Sequence, residues 1–442
     1  MNTRELRQSA RLIWEAALNA ANPATCIRNF VKANSDGTIV IGDKEVPVHG
    51  RLIVVGTGKP SAKMAQVIEE ILGSHISAGL VVTKYGHTLP LERIRLVEAG
   101  HPIPDAAGVR AAHETWDLLR GLTKDDVVLC LISGGGSALW PAPAEGITLE
   151  EKQEVTYLLL RAGATIRELN AVRKHLSDMK GGHLARWASP ARVISLIMSD
   201  VIGDAVDFIA SGPTAPDTTS FSDALAIIQK YGVEVPEAVL ERFQEGARGR
   251  IPETPKPGDP LFKHVENHII ANNRLLVEAA VDKARELDFN TLILGTEVEG
   301  EAKDVGRFFT AIAREIGRSG NPIKPPACIL AAGETTVTVR GHGVGGRNQE
   351  MALAWAISMA SRPLSTPSCF ASVATDGTDG PTTAAGGLVD HFTCSRAIEL
   401  GLMPLKFLRG NDSSNFLRAT GDLIVTGPTQ TNLMDLQILL VG

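Results

Sequence analysis

The first candidate for chemistry is the turn Gly56–Lys59, which stands between an apolar run and a helical pattern that begins at Ser61. Free backbone N–H groups at the start of a helix favour anions, and the ammonium of Lys59 beside Gly58 would suit a phosphate or a carboxylate. A Walker loop is excluded because Pro60 follows Lys59 where that motif has Ser or Thr. A purely structural strand-to-helix turn explains the glycines equally well, and Lys59 favours the anion-binding interpretation.

A second glycine-rich segment follows directly after the apolar run that ends at Ile132. Its members are Ser133, Gly134, Gly135, Gly136 and Ser137. Glycines let a ligand approach the backbone closely, and open α/β sheets bind ligands at the carboxyl ends of their strands. A flexible loop is the alternative, but such loops seldom begin next to a buried strand. We therefore predict that this segment binds an anion.

A third glycine-rich segment, Gly341–Gly346, leads into Arg347 and an apolar helical pattern that continues to Ile357. A guanidinium can bind an oxyanion in two-pronged fashion, so Gly346 and Arg347 are candidates for a second anion site. Glu334 follows the strand-like run Ala327–Ala331, and we expect it to lie near Arg347. Because Arg347 is expected to face a ligand, its removal is expected to leave no buried partner unpaired.

Pairs of aspartates follow two further strand-like runs. Asp200 and Asp204 come after Val193–Met198, and Asp376 and Asp379 form a tandem Thr-Asp-Gly repeat after another strand. Mg²⁺ in phosphate sites is held by one or two carboxylates together with phosphate and water. Either pair alone is also typical of turn chemistry, and the presence of both favours a site for metal and phosphate.

The segment from Arg167 to His175 is rich in basic residues, and on a helix Asn170, Arg173 and Lys174 would share one face. A solvated basic face is the more common outcome of such a pattern. Asn170 and Arg173 are nevertheless candidates for binding an anionic substrate or nucleotide.

Composition restricts the class of protein. The 442 residues carry a net charge of −6, which argues against a dedicated nucleic-acid binder. Apolar runs are far shorter than the roughly 18 residues that span a bilayer, so we expect no membrane partner. The five cysteines have neither disulfide-framework nor zinc-site spacing, which indicates a reducing cytoplasm.

Short apolar runs alternate with helical patterns, which predicts βαβ units and a largely parallel sheet. The predicted strands of the first half are Arg51–Val55, Gly79–Thr83, Ile94–Glu98, Asp126–Ile132 and Val193–Met198. Those of the second half are Val265–Ala271, Thr291–Leu294, Ala327–Ala331, Cys369–Ala374 and Asp422–Thr426. The segment Glu245–Pro260 has four prolines, three glycines and no apolar period, so we place the boundary between two α/β domains there, at residues 1–250 and 251–442.

At these residues the sequence resembles the ATP-dependent glycerate 2-kinases of the MOFRL family, some of which are labelled hydroxypyruvate reductases. The matching segments are GTGKPSAKMA, AGHPIPD, LISGGGSAL, LNAVRKHLSDMKGG, SDVIGD, SGPT, AAGETTVTVRGHGVGGRNQE, ATDGTDGP and TGPTQTN. They run from residue 56 to about 432, nearly the whole chain. The resemblance implies a Rossmann-like N-terminal domain with a parallel sheet and a smaller C-terminal α/β domain, with ATP and glycerate meeting in the cleft between them.

The resemblance also implies roles for individual residues. Lys59 and Arg347 resemble the two cations of that cleft, and Ser133–Ser137 would bind phosphate or the glycerate carboxylate. The four aspartates are candidates for binding Mg²⁺ and for orienting or deprotonating the attacking hydroxyl. We assign Mg²⁺ binding to Asp200, Asp376 and Asp379. We assign the role at the hydroxyl to Asp204. The implied reaction converts ATP and D-glycerate to ADP and 2-phosphoglycerate, and a homodimer is compatible with the family.

Two other functions stay open at this point. A nicotinamide-dependent hydroxypyruvate reductase would use a related substrate, but the dinucleotide fingerprint has Ser61 in place of its third glycine. A non-catalytic sensor of a small acid would not require two strand ends that carry aspartates.

Overall fold

The computed structural model describes residues 1–34 and 38–442, which divide into two compact units. The N-terminal unit is Pro23–Ile270, and the C-terminal unit combines Met1–Asn22 with Ala271–Gly442. The predicted N-terminal domain was residues 1–250. The unit observed begins later, at Pro23, and ends later, at Ile270. The Pro-rich segment Glu245–Pro260 is not a linker between the units, because it lies within the first of them.

Fifteen strands and sixteen α-helices are formed by the part of the chain described. In chain order the strands are β1 (Val31–Ala33), β2 (Ile39–Ile41), β3 (Lys44–Val46), β4 (Leu52–Thr57), β5 (Ile76–Lys84), β6 (Ile94–Ala99), β7 (Val127–Ser133), β8 (Arg192–Met198), β9 (Val265–Ala271), β10 (Asn290–Val298), β11 (Ala327–Gly333), β12 (Ser368–Ala374), β13 (Gly386–Asp390), β14 (Leu423–Ile424) and β15 (Asp435–Val441). The helices are α1 (Thr3–Ala20), α2 (Pro23–Phe30), α3 (Ser61–Leu72), α4 (Ala106–Leu119), α5 (Gly136–Leu139), α6 (Leu149–Arg161), α7 (Ile166–His175), α8 (His183–Ala188), α9 (Phe221–Tyr231), α10 (Glu237–Ala247), α11 (Asn273–Glu286), α12 (Ala302–Ser319), α13 (Arg347–Ser361), α14 (Thr393–Glu399), α15 (Pro404–Arg409) and α16 (Ser413–Thr420).

The N-terminal unit is built on a six-stranded sheet with the order β6-β5-β4-β7-β8-β9. Strands β6 to β8 pair in parallel, which confirms the predicted α/β class with a parallel sheet. Strand β9 was expected in the second domain, but it completes this sheet beside β8. The carboxyl ends of the parallel strands share one edge, so the segments that follow β4, β7 and β8 lie side by side there.

Helices α6, α7, α9 and α10 of the N-terminal unit contribute to a separate apolar cluster. Val155 and Leu159 of α6, Leu169 of α7, Phe221 of α9 and Phe243 of α10 are buried in it. Helix α7 begins at a capping box, in which Thr165 and Glu168 each accept a backbone hydrogen bond from the other. The cluster and the cap therefore fix α7, which carries two of the predicted site residues.

The C-terminal unit contains a second six-stranded sheet with the order β10-β11-β15-β12-β13-β14. Only β10 and β11 pair in parallel, and the other neighbours are antiparallel. The prediction of a largely parallel sheet is therefore wrong for this unit. Strand β15, which is buried along its whole length and lies between β11 and β12, was not predicted from the sequence.

Helix α1 belongs to the C-terminal unit although it is the first helix of the chain. Its buried face includes Leu6 and Ile13, and Arg7 Nη1 lies 2.7 Å from Asp390 Oδ2 and 2.9 Å from Asp422 Oδ1. The last residue is close to the first, because a Cβ atom on Gly442 would lie 3.0 Å from the carbonyl oxygen of Met1. Among residues 1–34 and 38–442 there is no helix with the length and apolar character needed to cross a membrane.

Candidate active site

Lys59 is fixed in place by the turn that follows β4. Its backbone N–H donates to the carbonyl of Gly134 at 2.9 Å, which joins the turn to the segment after β7. Gly58 has a φ of +133°, and a Cβ atom there would lie 1.9 Å from Ser133 Oγ. Only glycine fits this close approach. The structure therefore brings together the first two segments predicted to bind anions.

The glycines after β7 make room for neighbouring side chains. Gly135 has a φ of +87°, and a Cβ atom there would lie 3.0 Å from His101 Cδ2 and 3.3 Å from Lys59 Cγ. His101 follows β6, which ends at the same edge of the sheet. His101 was not predicted as a site residue, although a histidine shortly after a predicted strand was a usable signal.

A short chain of hydrogen bonds joins Ser137 to α7. Ser137 Oγ lies 2.7 Å from Ser211 Oγ, and Ser211 Oγ donates to Asn170 Oδ1 at 3.0 Å. Asn170 is buried in this arrangement, so the structure places it against the glycine-rich segment as a predicted site residue. Ser211 opens the segment SGPT, which carries part of the resemblance, but nothing in that segment links it to Ser137, so it was not predicted as a site residue.

The basic pattern on α7 is not a solvated face. Lys174 is fully buried, and its ammonium lies 3.2 Å from both Asp207 Oδ2 and Asp217 Oδ1. Arg173 is half-buried, and burial lowers the pKa of its guanidinium. The more common outcome expected for this pattern is therefore wrong here, because the partly exposed Asp207 and the buried Asp217 neutralise Lys174.

Asp200 and Asp204 follow β8 at the edge that carries Lys59 and the Ser133–Ser137 segment. Both are half-buried. Asp204 ends a short turn and has a φ of +54°, a left-handed conformation that aspartate tolerates better than most residues. Their predicted roles with Mg²⁺ and the attacking hydroxyl stay predictions.

Arg347 opens helix α13 in the C-terminal unit and binds two carboxylates. Its Nε and Nη2 atoms donate to Asp435 at 2.5 and 2.9 Å, and its Nη1 atom lies 2.8 Å from Glu334 Oε1. Glu334 is therefore beside Arg347, as the sequence predicts. Asp435 is fully buried at the start of β15, and burial raises its pKa to about 7 although Arg347 opposes the shift.

The expectation that Arg347 has no buried partner is wrong. Asp435 was missed together with β15, although the apolar run Leu436–Val441 at the end of the sequence was a usable signal. A carboxylate at the start of a buried strand needs a cation or hydrogen-bond donors, because an uncompensated buried charge is costly.

Asp379 caps helix α13. Its Oδ1 atom accepts from the backbone N–H and side-chain amide of Asn348, and its Oδ2 atom accepts from the corresponding groups of Gln349. A Cβ atom on Gly346 would lie 2.3 Å from Asp379 Cγ, so glycine is required at the helix start. With four donors on its two oxygens, Asp379 has a structural role that the metal prediction did not anticipate.

Asp376 forms a local turn, in which its Oδ1 atom accepts from the N–H and the hydroxyl of Thr378 at 3.0 Å. Asp376 and Asp379 lie in the C-terminal unit and Asp200 lies in the other. Within the described part of the chain, no group of three or more His, Cys, Asp or Glu side chains is arranged to hold a metal ion.

Comparisons with known proteins identify the family to which the chain belongs. Residues 9–244 match the family described as a domain of unknown function, DUF4147, and residues 327–435 match the MOFRL family. The chain is 43% identical to a glycerate 2-kinase of Pyrococcus horikoshii, over all of this chain and 98% of that protein. It is 41% identical to a putative hydroxypyruvate reductase of Agrobacterium vitis, over 99% and 94% of the two chains.

A crystal structure of a glycerate kinase from Thermotoga maritima has the same fold, with a TM-score of 0.87 and 39% identity over 99% of this chain and all of that one. Sequence and structure therefore agree over both units. The chain belongs to the glycerate kinase family.

Proposed function

We propose that this protein transfers the terminal phosphoryl group of ATP to the 2-hydroxyl group of D-glycerate, which yields ADP and 2-phosphoglycerate. The observation that carries the proposal is the contact of Lys59 with the Ser133–Ser137 segment at the carboxyl edge of the parallel sheet. It supplies a cation and close backbone approach at one place, in a chain 43% identical to a glycerate 2-kinase.

In this proposal the residues of the N-terminal unit bind and orient the reacting groups. Lys59 neutralises an anionic group that lies against Gly134–Gly136, where the absence of side chains lets the ligand reach the backbone. Asn170 and Arg173 on α7 support the same ligand. Phosphoryl transfer is catalysed chiefly by positioning and charge stabilisation, so these residues need no covalent intermediate.

Asp200 and Asp204 have the donor chemistry for Mg²⁺, because that ion is held by one or two carboxylates and otherwise by phosphate and water. A bound Mg²⁺ would neutralise charge on the transferring phosphate. We assign Asp204 to orienting the attacking hydroxyl or accepting its proton. Asp376 is a further candidate for the ion, whereas the four donors on Asp379 favour a role in the fold.

Arg347 is the predicted cation of the C-terminal unit, with Gly346 beside it. Its guanidinium already binds Asp435 and Glu334. Glu334 is the more exposed of these two partners, so we propose that an arriving anion replaces Glu334 while Asp435 continues to hold the guanidinium in orientation.

We also propose that the protein works in the cytoplasm. Its five cysteines are all buried free thiols, which fits a reducing compartment.

The test is to incubate the purified protein with D-glycerate, ATP and Mg²⁺ and to identify the product by ³¹P nuclear magnetic resonance. We expect 2-phosphoglycerate, and we expect no product when ATP is omitted or the divalent ion is chelated. A parallel reaction with hydroxypyruvate and NADH tests the reductase. Consumption of NADH without any phosphorylation of glycerate would overturn the proposal.

A further inference from the structure

A buried lysine lies behind the Ser133–Ser137 segment. Lys180 is 1% exposed, and its ammonium donates to the carbonyl oxygens of Ser137 at 2.7 Å and Trp140 at 2.8 Å. These two carbonyls belong to helix α5 and the residue that follows it, directly after Gly134 and Gly135. The ammonium of Lys180 therefore joins the last residue of the segment, Ser137, to Trp140 from the protein interior.

The same segment is held at a second point by Ser211, whose hydroxyl bonds to Ser137 Oγ. Ser211 has a φ of +62°, next to Ala210 at +50°. Such conformations persist in non-glycine residues only where the surroundings impose them. Here the N–H of Gly181, next to Lys180, donates to the Ser211 carbonyl at 2.9 Å. Lys180 and Ser211 are thus parts of one support.

The contacts of the Lys180 ammonium matter because the side chain is buried. Both hydrogen bonds described for its ammonium go to neutral carbonyls. Burial, together with the charge of Arg173, lowers its pKa to about 7. Burying an ammonium without a carboxylate to neutralise it is costly, so the Ser137 and Trp140 carbonyls are the groups that hold the Lys180 ammonium in place.

We propose that Lys180 is a positioning residue for the reaction, which fixes the Ser133–Ser137 segment through the Ser137 and Trp140 carbonyls so that the segment meets the ligand in one orientation. This inference rests on the proposed function, in which that segment binds a substrate anion. Ser211 supports the same orientation through the Ser137 hydroxyl.

The chain offers a matched control in Lys152. It is 5% exposed, and its ammonium also donates to two carbonyls, those of Pro141 at 2.5 Å and Leu176 at 3.0 Å. Neither carbonyl belongs to the glycine-rich segment. Lys152→Met therefore removes the same kind of buried interaction as Lys180→Met without releasing that segment.

The experiment compares Lys180→Met, Lys152→Met and Ser211→Ala with the unchanged protein, by melting temperature and by kcat and the KM for glycerate and for ATP. Assays are run well below the lowest melting temperature. Misplacement of a binding group by about 1 Å can cost about 10²-fold in rate, so we expect Lys180→Met to lose about 10²-fold in kcat/KM, with the KM of one substrate raised more than that of the other. Lys152→Met is expected to lower the melting temperature while kcat and both KM values stay close to those of the unchanged protein.

Equal losses of kcat/KM in the two lysine variants, or an unchanged kcat/KM in Lys180→Met, would overturn the positioning role. If Lys180→Met does not fold, Ser211→Ala decides, since it removes one hydroxyl and keeps the lysine. A shifted KM in Ser211→Ala supports the inference, and unchanged kinetics overturn it. Absence of turnover in the unchanged protein would instead overturn the proposed function, and with it this inference.

Discussion

Arg347 and Asp435 form a two-pronged ion pair in which the carboxylate is fully buried and the guanidinium is partly exposed. The pair joins the first residue of α13 to the first residue of β15. It makes Arg347 part of the fold as well as a candidate for binding an anion, and the two contributions can be separated by substitution.

Arg347→Ala is expected to lose both stability and activity. Above pH 7, where Asp435 is ionised, removing its partner leaves an uncompensated buried charge, which costs about 3 kcal/mol or more. Loss of a charged contact to the transition state costs about 10²-fold in kcat/KM. Urea denaturation and steady-state kinetics measure the two effects. The double variant Arg347→Met with Asp435→Leu should recover part of the stability and none of the activity, and full activity in that double variant would remove Arg347 from the site.

Lys59→Ala is expected to lower kcat/KM by about 10²-fold with little change in melting temperature. The side chain is half-buried, so its removal creates no enclosed cavity. Lys63→Ala, one turn along α3, is the control and should keep normal kinetics. Near-normal kcat/KM in a folded Lys59→Ala protein would show that the ammonium is a structural cation.

Asp435→Asn is expected to change how stability depends on pH. The pKa of Asp435 is about 7 in the folded protein and has an ordinary value of 3.8. The folded state therefore holds a proton that the unfolded chain releases, and this stabilisation is complete below about pH 4 and lost as the pH rises to 7. The asparagine variant lacks this loss. The melting temperature of the variant minus that of the unchanged protein should therefore increase as the pH rises from about 4.5 to about 7.5. Glu334→Gln removes the other ion pair of Arg347 without touching Asp435 and serves as the control. A difference in melting temperature that is constant over this range would contradict the prediction.

Asp379→Ala is expected to destabilise the protein by about 2 kcal/mol, the upper range for losing a helix cap. The N–H groups of Asn348 and Gln349 would lose their acceptor in the interior. The dependence of activity on Mg²⁺ concentration should stay unchanged. Normal stability combined with a raised Mg²⁺ requirement would return Asp379 to the metal site.

The sequence was sufficient for the parallel sheet and for the segments at its edge. Strands such as β4 and β7 are short apolar runs with glycine directly after them, and both the burial and the turn are visible in the residue types. Lys59 and the Ser133–Ser137 segment meet because parallel neighbouring strands end at the same edge. This contact follows from the strand order alone, because β4 and β7 are parallel neighbours in the sheet.

The supports of the site could not be predicted in the same way. Lys180 and Ser211 act on Ser137 across 43 and 74 residues of chain, and no local pattern records such a pairing. Asp379 shows the opposite difficulty, because an Asp-Gly turn has the same sequence whether its carboxylate binds a metal or caps a distant helix. The partners that distinguish these outcomes come from tertiary packing.

The position of α1 makes residues 23–270 an insertion within a single folded body. The C-terminal unit is interrupted after its first helix and resumes at residue 271, and Met1 and Gly442 are adjacent within it. A rearranged chain could begin at residue 271, join Gly442 to Met1 through a short linker and end at residue 22. It would therefore contain the whole C-terminal unit without interruption. Arg7 would still reach Asp390 and Asp422, whereas cutting the gene at the midpoint of the protein would leave those two buried carboxylates without it.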